Sequence, residues 1–558
     1  MDARRAIILI GMAVVGYMLI LAWNNDYGQA AQVANQVAQT TPAAQQDTPD
    51  ITAAAVSETP AAAVDAPVIA AEPAQQVVST TGLITVNTDV LDLKIDPNGG
   101  DIVYAALKAF PQHQKNPDVP YILLDNAART YIAQTGLVGK NGTDVNGKRG
   151  QFSAAQTAYV LAEGQDNLQV VLSLVQDGVT IEKVFTVKRG LYLVDVTYRI
   201  NNQSAEAWQA NVYAQLKRDE SADPTTSSAM GMKAYLGAAI STPEERYKKI
   251  TFKDMTEKPL KQATQVKQDG HWIAFLQHYF LSALVPAKDA SHNYYAYKTG
   301  DNYLMGYYDD AINVAPGAQA ESTTQIYMGP KNQDRLKEIA ENLNLTVDYG
   351  WLWWIAQPLF WLLQLIHSVL GNWGFAIIVL TILVKAAFFK LSATSYRSMA
   401  NMRRVAPKLA SLKEEFGNDR QRMSKEMMDL YKREKINPLG GCLPILIQMP
   451  VFIALYWVLM ESVELRQAPW ILWITDLSVM DPYFILPIIM GASMFIQMSL
   501  NPTPPDPMQA KVMKMMPIIF SVFFLFFPAG LVLYWVVNNV LSIAQQWYIT
   551  KQIEDGAK

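Results

Sequence analysis

The 558-residue sequence has one cysteine, Cys442, and five histidines. A single thiol forms no internal disulfide, so every part of the chain must fold through its own core. The histidines (His113, His271, His278, His292 and His367) show no HExxH or comparable ligand spacing. GxSxG, GxGxxG and Walker motifs are also absent. No catalytic residue, metal site or cofactor is therefore expected, and the histidines read as surface or satisfied residues. Basic excess is lacking too: 46 Lys+Arg against 50 Asp+Glu exclude a basic, sequence-specific nucleic-acid binder. With 50% hydrophobic and 17% charged residues the chain is not wholly disordered. Its length exceeds what one core serves, so two or more domains are expected.

What is present is unevenly placed. Residues 24–348 carry 26 Lys+Arg and 36 Asp+Glu, a net of -10, while the remainder carries 20 and 14, a net of +6. Residues 6–23 contain no charge and follow Arg4 and Arg5. Eighteen residues make about 27 Å of helix, enough for a hydrocarbon core of roughly 30 Å. A cleaved signal peptide is the rival reading. No small-x-small site follows closely and Trp23 suits an interface, so residues 1–23 read as an uncleaved signal anchor. The two arginines place the N-terminus in the cytoplasm and the following segment outside.

Residues 24–81 are Ala-, Gln-, Thr-, Val- and Pro-rich linker. From Gly82 strand-like alternation begins: Leu83–Val86, Leu91–Ile95, 168–175, 179–187 and 191–200. Asn98-Gly99, Asn141-Gly142, Asn146-Gly147, Asp177-Gly178 and Asp269-Gly270 punctuate it as turns. Residues 82–347 are thus expected to form a large β-sandwich that ends in a short helix near Gln333–Leu343. A ligand groove in it stays open as a reading.

Residues 348–373 follow, with Trp351, Trp353, Trp354 and Trp361, no charge between 349 and 370, and Pro358 in the middle. They read as an amphipathic helix in the headgroup region. Counting them as a span would reverse every later loop. Spans are expected at about 374–391, 442–460, 483–500, 513–528 and 530–549, and a short neutral tail, 550–558, ends the chain. The connection 392–441 holds eleven bases and six acids and should be cytoplasmic; 461–481 holds one base and four acids and should be external. The fold class is a polytopic α-helical membrane protein of six spans, five of them a core, carrying the external sandwich. Gly417-Asn418 divides the basic connection into two helices, 396–416 and 419–435, an antiparallel hairpin. Its bases read either as a face for anionic lipid or RNA-rich partners or as a solvated surface.

Lys385 lies twelve residues into the second span. A base at that depth costs roughly 3 kcal/mol on insertion scales and marks a functional site by default; snorkelling to the interface is the bland alternative. Thr381 shares its helical face. No acidic residue occurs in the later spans. An unpaired base favours water, which suggests a wet cavity rather than a buried ion pair. A secondary transporter using Lys385 as a substrate or proton site is a second reading, but no internal repeat links 374–460 to 483–549. A membrane-anchored binding module, with the sandwich as the active part, is a third.

The run Asn437–Pro450 (NPLGGCLPILIQMP) resembles the third-span signature of the YidC/Oxa/Alb family of membrane insertases. Glu464–Pro469, Asp481–Pro487 and Phe527–Tyr534 are similar to further motifs of that family, in the same order. The layout of span, linker and sandwich resembles the family's Gram-negative form. The resemblance implies an inner-membrane insertase and chaperone with cytoplasmic termini and a periplasmic domain similar to sugar epimerases. It acts alone or with the Sec translocon through a positively charged hydrophilic groove. It implies that Lys385, Thr381, Gln448, Tyr534 and Trp535 line or adjoin that groove. Met449, Pro450, Phe452, Phe520 and Phe523 would form a hydrophobic slide for substrate helices. The family's groove base is usually arginine, so the lysine keeps the charge and loses the fork of donors. Nascent membrane proteins, the Sec translocon and lipids are the implied partners. Ribosomes or targeting factors would use the hairpin, through Arg403, Arg404, Lys408 and Lys413.

Overall fold

The computed structural model describes residues 82–555 except 146, 225–233, 261–266, 269–270, 288–291, 417–418, 435–442 and 501–506. The expected first span and linker, the Asp269-Gly270 turn, Asn146, Cys442 and the side chains of Arg403 and Lys413 lie outside the described residues.

Alternation builds the first domain. In Leu91–Asp96, Leu91, Leu93 and Ile95 are buried while Asp92, Lys94 and Asp96 are half-buried, the two faces of one strand. Strands Asn167–Gln176 and Val179–Lys188 pair antiparallel across Asp177-Gly178. Both turn residues have positive φ, 49° and 79°, the two-residue turn whose twist matches the strands. Nineteen strands among the described residues form two sheets. The first runs from Lys267–Gln268 through His292–Thr299, Asn302–Val314, Trp208–Arg218, Tyr131–Val138, Asn116–Asp125, Asp101–His113, Leu91–Asp96 and Ile84–Asn87 to Ala158–Val160. The second runs from Lys248–Ile250 through Gly237–Ser241, Trp272–Leu276, Phe280–Val285, Gln319–Pro330, Leu193–Asn202, Val179–Lys188 and Asn167–Gln176 to Ser153–Ala154. Leu93, Leu123, Leu216 and Tyr307 of the first share one core with Val170, Ile181, Val196 and Phe275 of the second. This is the expected sandwich.

Its core also encloses charge. Arg149 pairs with Asp101 and, at 2.5 Å, with Asp144. Asp144 accepts hydrogen bonds from Tyr213 Oη and the Gly150 amide, and Asp101 from Gln134 Nε2. The fully buried Lys183 donates to the carbonyls of Gly99 and Thr135 at 2.8 and 2.9 Å. Burial pushes the lysine down to about 7 and the Asp101 carboxyl up.

Two short helices among the described residues belong to this part. Helix α1 (Phe252–Glu257) starts with a Thr251/Asp254 capping box, and α2 (Gln333–Ile339) is capped by Asn332. The latter is the expected closing helix, followed by a 3₁₀ turn at Leu343–Thr346.

The rest is helical: α3 (Trp353–Leu370), α4 (Trp373–Ala387), α5 (Phe389–Phe416), α6 (Arg420–Arg433), α7 (Leu443–Glu461), α8 (Ile485–Ser499), α9 (Pro507–Phe524) and α10 (Ala529–Asp555). Helix α3 buries Ala356, Phe360 and Leu363 and leaves Trp353, Trp354 and Trp361 exposed, an amphipathic division along one helix. No single helix among the described residues is long and apolar enough to cross a membrane; α4 with Phe389–Met402 meets that test as a pair bent by 67°. The second expected span, 374–391, runs across this bend. Helix α4 stops at Ala387, and α5 continues the chain from Phe389 into the hairpin, seven residues before its expected start at 396. The residues from Ala386 onward remain helix-forming and include no Gly or Pro until Pro407, so composition hides the bend. Helices α5 and α6 pack through Val405, Leu409 and Leu430. Helix α10 packs on α4, α5, α7 and α8. At Gly374 an added Cβ would overlap the Trp470 ring, so only glycine lets the start of α4 meet the 461–481 connection.

That connection also carries the sandwich. Arg466 Nη2 donates to the Pro111 carbonyl (2.7 Å), Gln467 Nε2 to the same carbonyl (3.1 Å), and Gln114 Nε2 to that of Thr475 (2.5 Å). His278 Nε2 lies 2.8 Å from the Met460 carbonyl, Lys331 pairs with Glu461 at 3.6 Å, and Asn332 Nδ2 donates to Glu464 Oε1 at 3.0 Å. Burial pushes the Glu464 carboxyl from its ordinary 4.5 up to about 7. A raised carboxyl means that the folded junction holds a proton which the unfolded chain releases. Its contribution is complete below about pH 4.5 and is lost as the pH rises through about 7. The thermal midpoint of the junction should therefore fall between pH 5 and 8. Glu464→Gln keeps an oxygen for Asn332 and should flatten that fall; an unchanged pH dependence would assign it to another group.

Candidate functional site

Lys385 and several amides of the helical part converge on α10. Ile377, Thr381 and Lys385 lie one turn apart on α4 and all three are buried. The Thr381 hydroxyl donates back to the Ile377 carbonyl at 2.6 Å, so it satisfies itself within its helix. Lys385 is 9% exposed, and its Nζ donates to Ser542 Oγ at 2.7 Å. Ser542 Oγ in turn donates to the Asn538 carbonyl at 2.7 Å. Gln448 of α7 donates to the Asn538 side chain. Lys385 has no carboxylate partner among the described residues. The result is one polar line, Lys385–Ser542–Asn538–Gln448, tying three helices together. The lysine turns toward α10 and takes a hydroxyl as partner.

Below that line on α10 further amides face neighbours. Asn539 Nδ2 donates to Ser493 Oγ of α8 (3.0 Å), Gln545 Nε2 to the Phe389 carbonyl (3.1 Å) and Gln546 Nε2 to the Leu500 carbonyl (3.3 Å). Ser542, Gln545, Gln546 and Ser493 are site residues that the sequence reading omits. The signal for the first three is their recurrence with Asn538 at i, i+4, i+7 and i+8 along one helix.

Above it lies an aromatic cluster. Tyr534 is buried one turn before Asn538 and stacks on Phe452 (centroids 6.2 Å), against which Trp535 sets its ring edge-on at 4.5 Å. Phe452 sits one turn beyond Gln448. Phe520 and Phe523 reach the same cluster through Phe524, at 6.2 and 5.8 Å. Phe524, buried at the centre, is another omission; a run that is apolar all round gives no periodicity to find it. Phe523 is 44% exposed and Met449 39%, whereas Pro450, Phe452 and Phe520 are half-buried. The structure thus brings Lys385, Gln448, Tyr534, Trp535, Phe452, Phe520 and Phe523 into one connected region, and Met449 presents an open apolar surface. In the hairpin Arg404 is exposed, while Lys408 pairs with Glu434 at 2.5 Å, a contact that joins α5 to α6.

The comparisons agree with this division. Residues 83–362 match the YidC periplasmic domain family, and residues 365–556 match the 60Kd inner membrane protein family. The sandwich and the helical part are together the two modules of an inner-membrane insertase class. The chain is 57% identical over its full length to the membrane protein insertase YidC of Pseudomonas fluorescens, covering 99% of that chain. It is 56% identical to that of Stutzerimonas stutzeri, with all of both chains covered. A solved structure of an active YidC insertase with its first transmembrane domain aligns with 84% of this chain and 93% of its own, at 17% identity and a TM-score of 0.39. This chain belongs to the YidC membrane protein insertase family.

Proposed function

We propose that this chain inserts and folds membrane proteins in the bacterial inner membrane, alone or with the Sec translocon. The α4–α5 bend, α7, α8, α9 and α10 cross or enter the bilayer, residues 6–23 supply the sixth span, both termini are cytoplasmic and the sandwich is periplasmic. Helix α3 lies at the external interface with its tryptophans toward the headgroups. The carrying observation is Lys385, held in a polar line across three helices and bordered by a partly open aromatic surface. A polar tail avoids hydrocarbon while it follows the amides, because its backbone finds partners there. The substrate helix gains burial in lipid at roughly 25 cal/mol per Å². No bond is made or broken. The hairpin, with Arg403, Arg404, Lys408 and Lys413, faces ribosomes, targeting factors or anionic lipid.

A photo-crosslinker placed at Met449, Phe452 or Phe523 should capture a nascent single-span substrate stalled during insertion. The same probe at Ile488, 63% exposed on α8, should capture little. Equal yields at Ile488 and Phe523 would remove the directional surface from this reading.

A further inference from the structure

We propose that the end of the sandwich bearing Arg129 and Arg218 binds a small oxyanion, a carboxylate or phosphate group. Arg218 closes the strand Trp208–Arg218 and pairs in register with Tyr131. Its guanidinium carbon lies 4.8 Å from the centroid of the Tyr131 ring, and that of Arg129 lies 5.9 Å from the same centroid. Arg218 is fully enclosed, while Arg129 is half-buried and reaches the surface. Both spend their donors on backbone carbonyls. Arg218 Nε and Nη2 bond to Asp219 O and Ser221 O, and Arg129 Nη2 bonds to Ile122 O and Leu123 O. The remaining Nη1 of each is buried with no partner, and so is Nε2 of the neighbouring Gln277.

The nearby acids are engaged elsewhere. Asp219 accepts the amides of Thr130 and Ser221, and Asp223 accepts the His278 amide and lies 3.1 Å from the Tyr121 hydroxyl. Tyr121 also lies 2.8 Å from Gln277 Oε1, which places Gln277 in the same cluster. Neither arginine forms an ion pair among the described residues. Two guanidinium groups lie over one ring, each with an unpartnered donor and neither in an ion pair among the described residues, and a third unpartnered donor belongs to Gln277 on the adjoining Tyr121 network, whereas buried charges are ordinarily paired and buried donors satisfied. The guanidinium fork matches a planar or tetrahedral oxyanion. The cluster lies where the sandwich meets the 461–481 connection, since Arg466 sits over Tyr121 and Phe280 and His278 contacts Met460. Both a free anion and a lipid headgroup can supply that group.

The test uses the full chain in phosphatidylcholine nanodiscs and follows thermal unfolding of the sandwich. Inorganic phosphate is titrated at constant ionic strength in one arm; in the other, phosphatidylglycerol replaces the host lipid in chloride buffer. A saturable rise in the phosphate arm identifies a free oxyanion site, and a rise with phosphatidylglycerol alone identifies a headgroup site. In either case Arg129→Gln should weaken the apparent affinity about tenfold. Arg129 is half-buried, so this variant tests the site even if Arg218→Gln fails to fold. No rise in either arm, or a rise that Arg129→Gln leaves unchanged, overturns the proposal.

Discussion

Lys385→Glu should nearly abolish insertion of a single-span substrate with an acidic external tail. Lys385→Ala should slow it by about tenfold, and Lys385→Arg should leave most of it. The sizes follow from charge alone. At about 10 Å, with an effective dielectric constant of about 20, a unit pair interacts by roughly 1.7 kcal/mol. Removing that attraction corresponds to somewhat more than tenfold in rate, and reversing it to roughly three hundredfold. The geometry favours the larger outcome for glutamate. The Lys385 ammonium meets only a hydroxyl, so no cation among the described residues would compensate a carboxylate placed there. Ser542→Ala supplies the control, since it frees the ammonium and leaves the charge. Its effect should be several-fold smaller than that of Lys385→Ala. Insertion into proteoliposomes by correctly folded variants is the measurement. Unchanged insertion by both the alanine and the glutamate variants would remove Lys385 from the mechanism.

Lys385 was legible because a charge in an apolar run stands out against its neighbours. Its partner was not. Ser542 is small, occurs in a stretch that reads as membrane helix, and gains meaning only when α4 and α10 face each other over 157 residues of chain. The sandwich divides in the same way. Its local hairpins are written in period-two alternation and in Asp177-Gly178, whose positive φ values suit that turn. The pairing of Leu193–Asn202 with Gln319–Pro330 leaves no local trace, because the contact joins segments more than a hundred residues apart. The motif Glu464–Pro469 shows the limit of reading by resemblance. It carried the family likeness without a physical role. The structure supplies one: Glu464 accepts from Asn332, and Arg466 donates to Pro111, so the motif seats the sandwich on the helical part. The α4–α5 bend stayed hidden because both sides of Phe388 favour helix, and the choice between a straight and a bent course is made by packing on α10.

Arg149→Met should destabilise the sandwich by about 3–5 kcal/mol, the cost of removing one member of a buried ion cluster. Three charges surround the guanidinium: Asp101 and Asp144 bond to it directly, and Lys183 reaches in from the facing sheet. Removing the arginine leaves two enclosed carboxylates with Lys183 as the nearby cation, and burial holds that lysine down at about 7, where it is only partly charged at neutral pH. The variant should therefore be most impaired at alkaline pH, when Lys183 is neutral and both carboxylates are ionised, and should recover toward pH 5 as Asp101, already raised by burial, takes up a proton. The native cluster behaves differently on its lysine limb. A folded-state value of about 7 against an ordinary 10.5 means the folded chain binds fewer protons than the unfolded one across that window, so this group adds stability as the pH rises through it. The native protein and the arginine variant thus have opposite pH signatures across this window, which distinguishes a charge cluster from simple loss of packing. Hydrogen exchange of Tyr131–Val138 and Val179–Lys188, the strands flanking the cluster, reads the sandwich separately from the helices. A midpoint lowered by roughly 10 °C is expected. Equal loss at pH 5 and pH 9 would show that the methionine acts through shape alone. Adding Asp101→Asn and Asp144→Asn to Arg149→Met should then recover little, whereas in a charge cluster the triple variant regains much of the lost stability because no buried carboxylate remains and Lys183 readily sheds its proton.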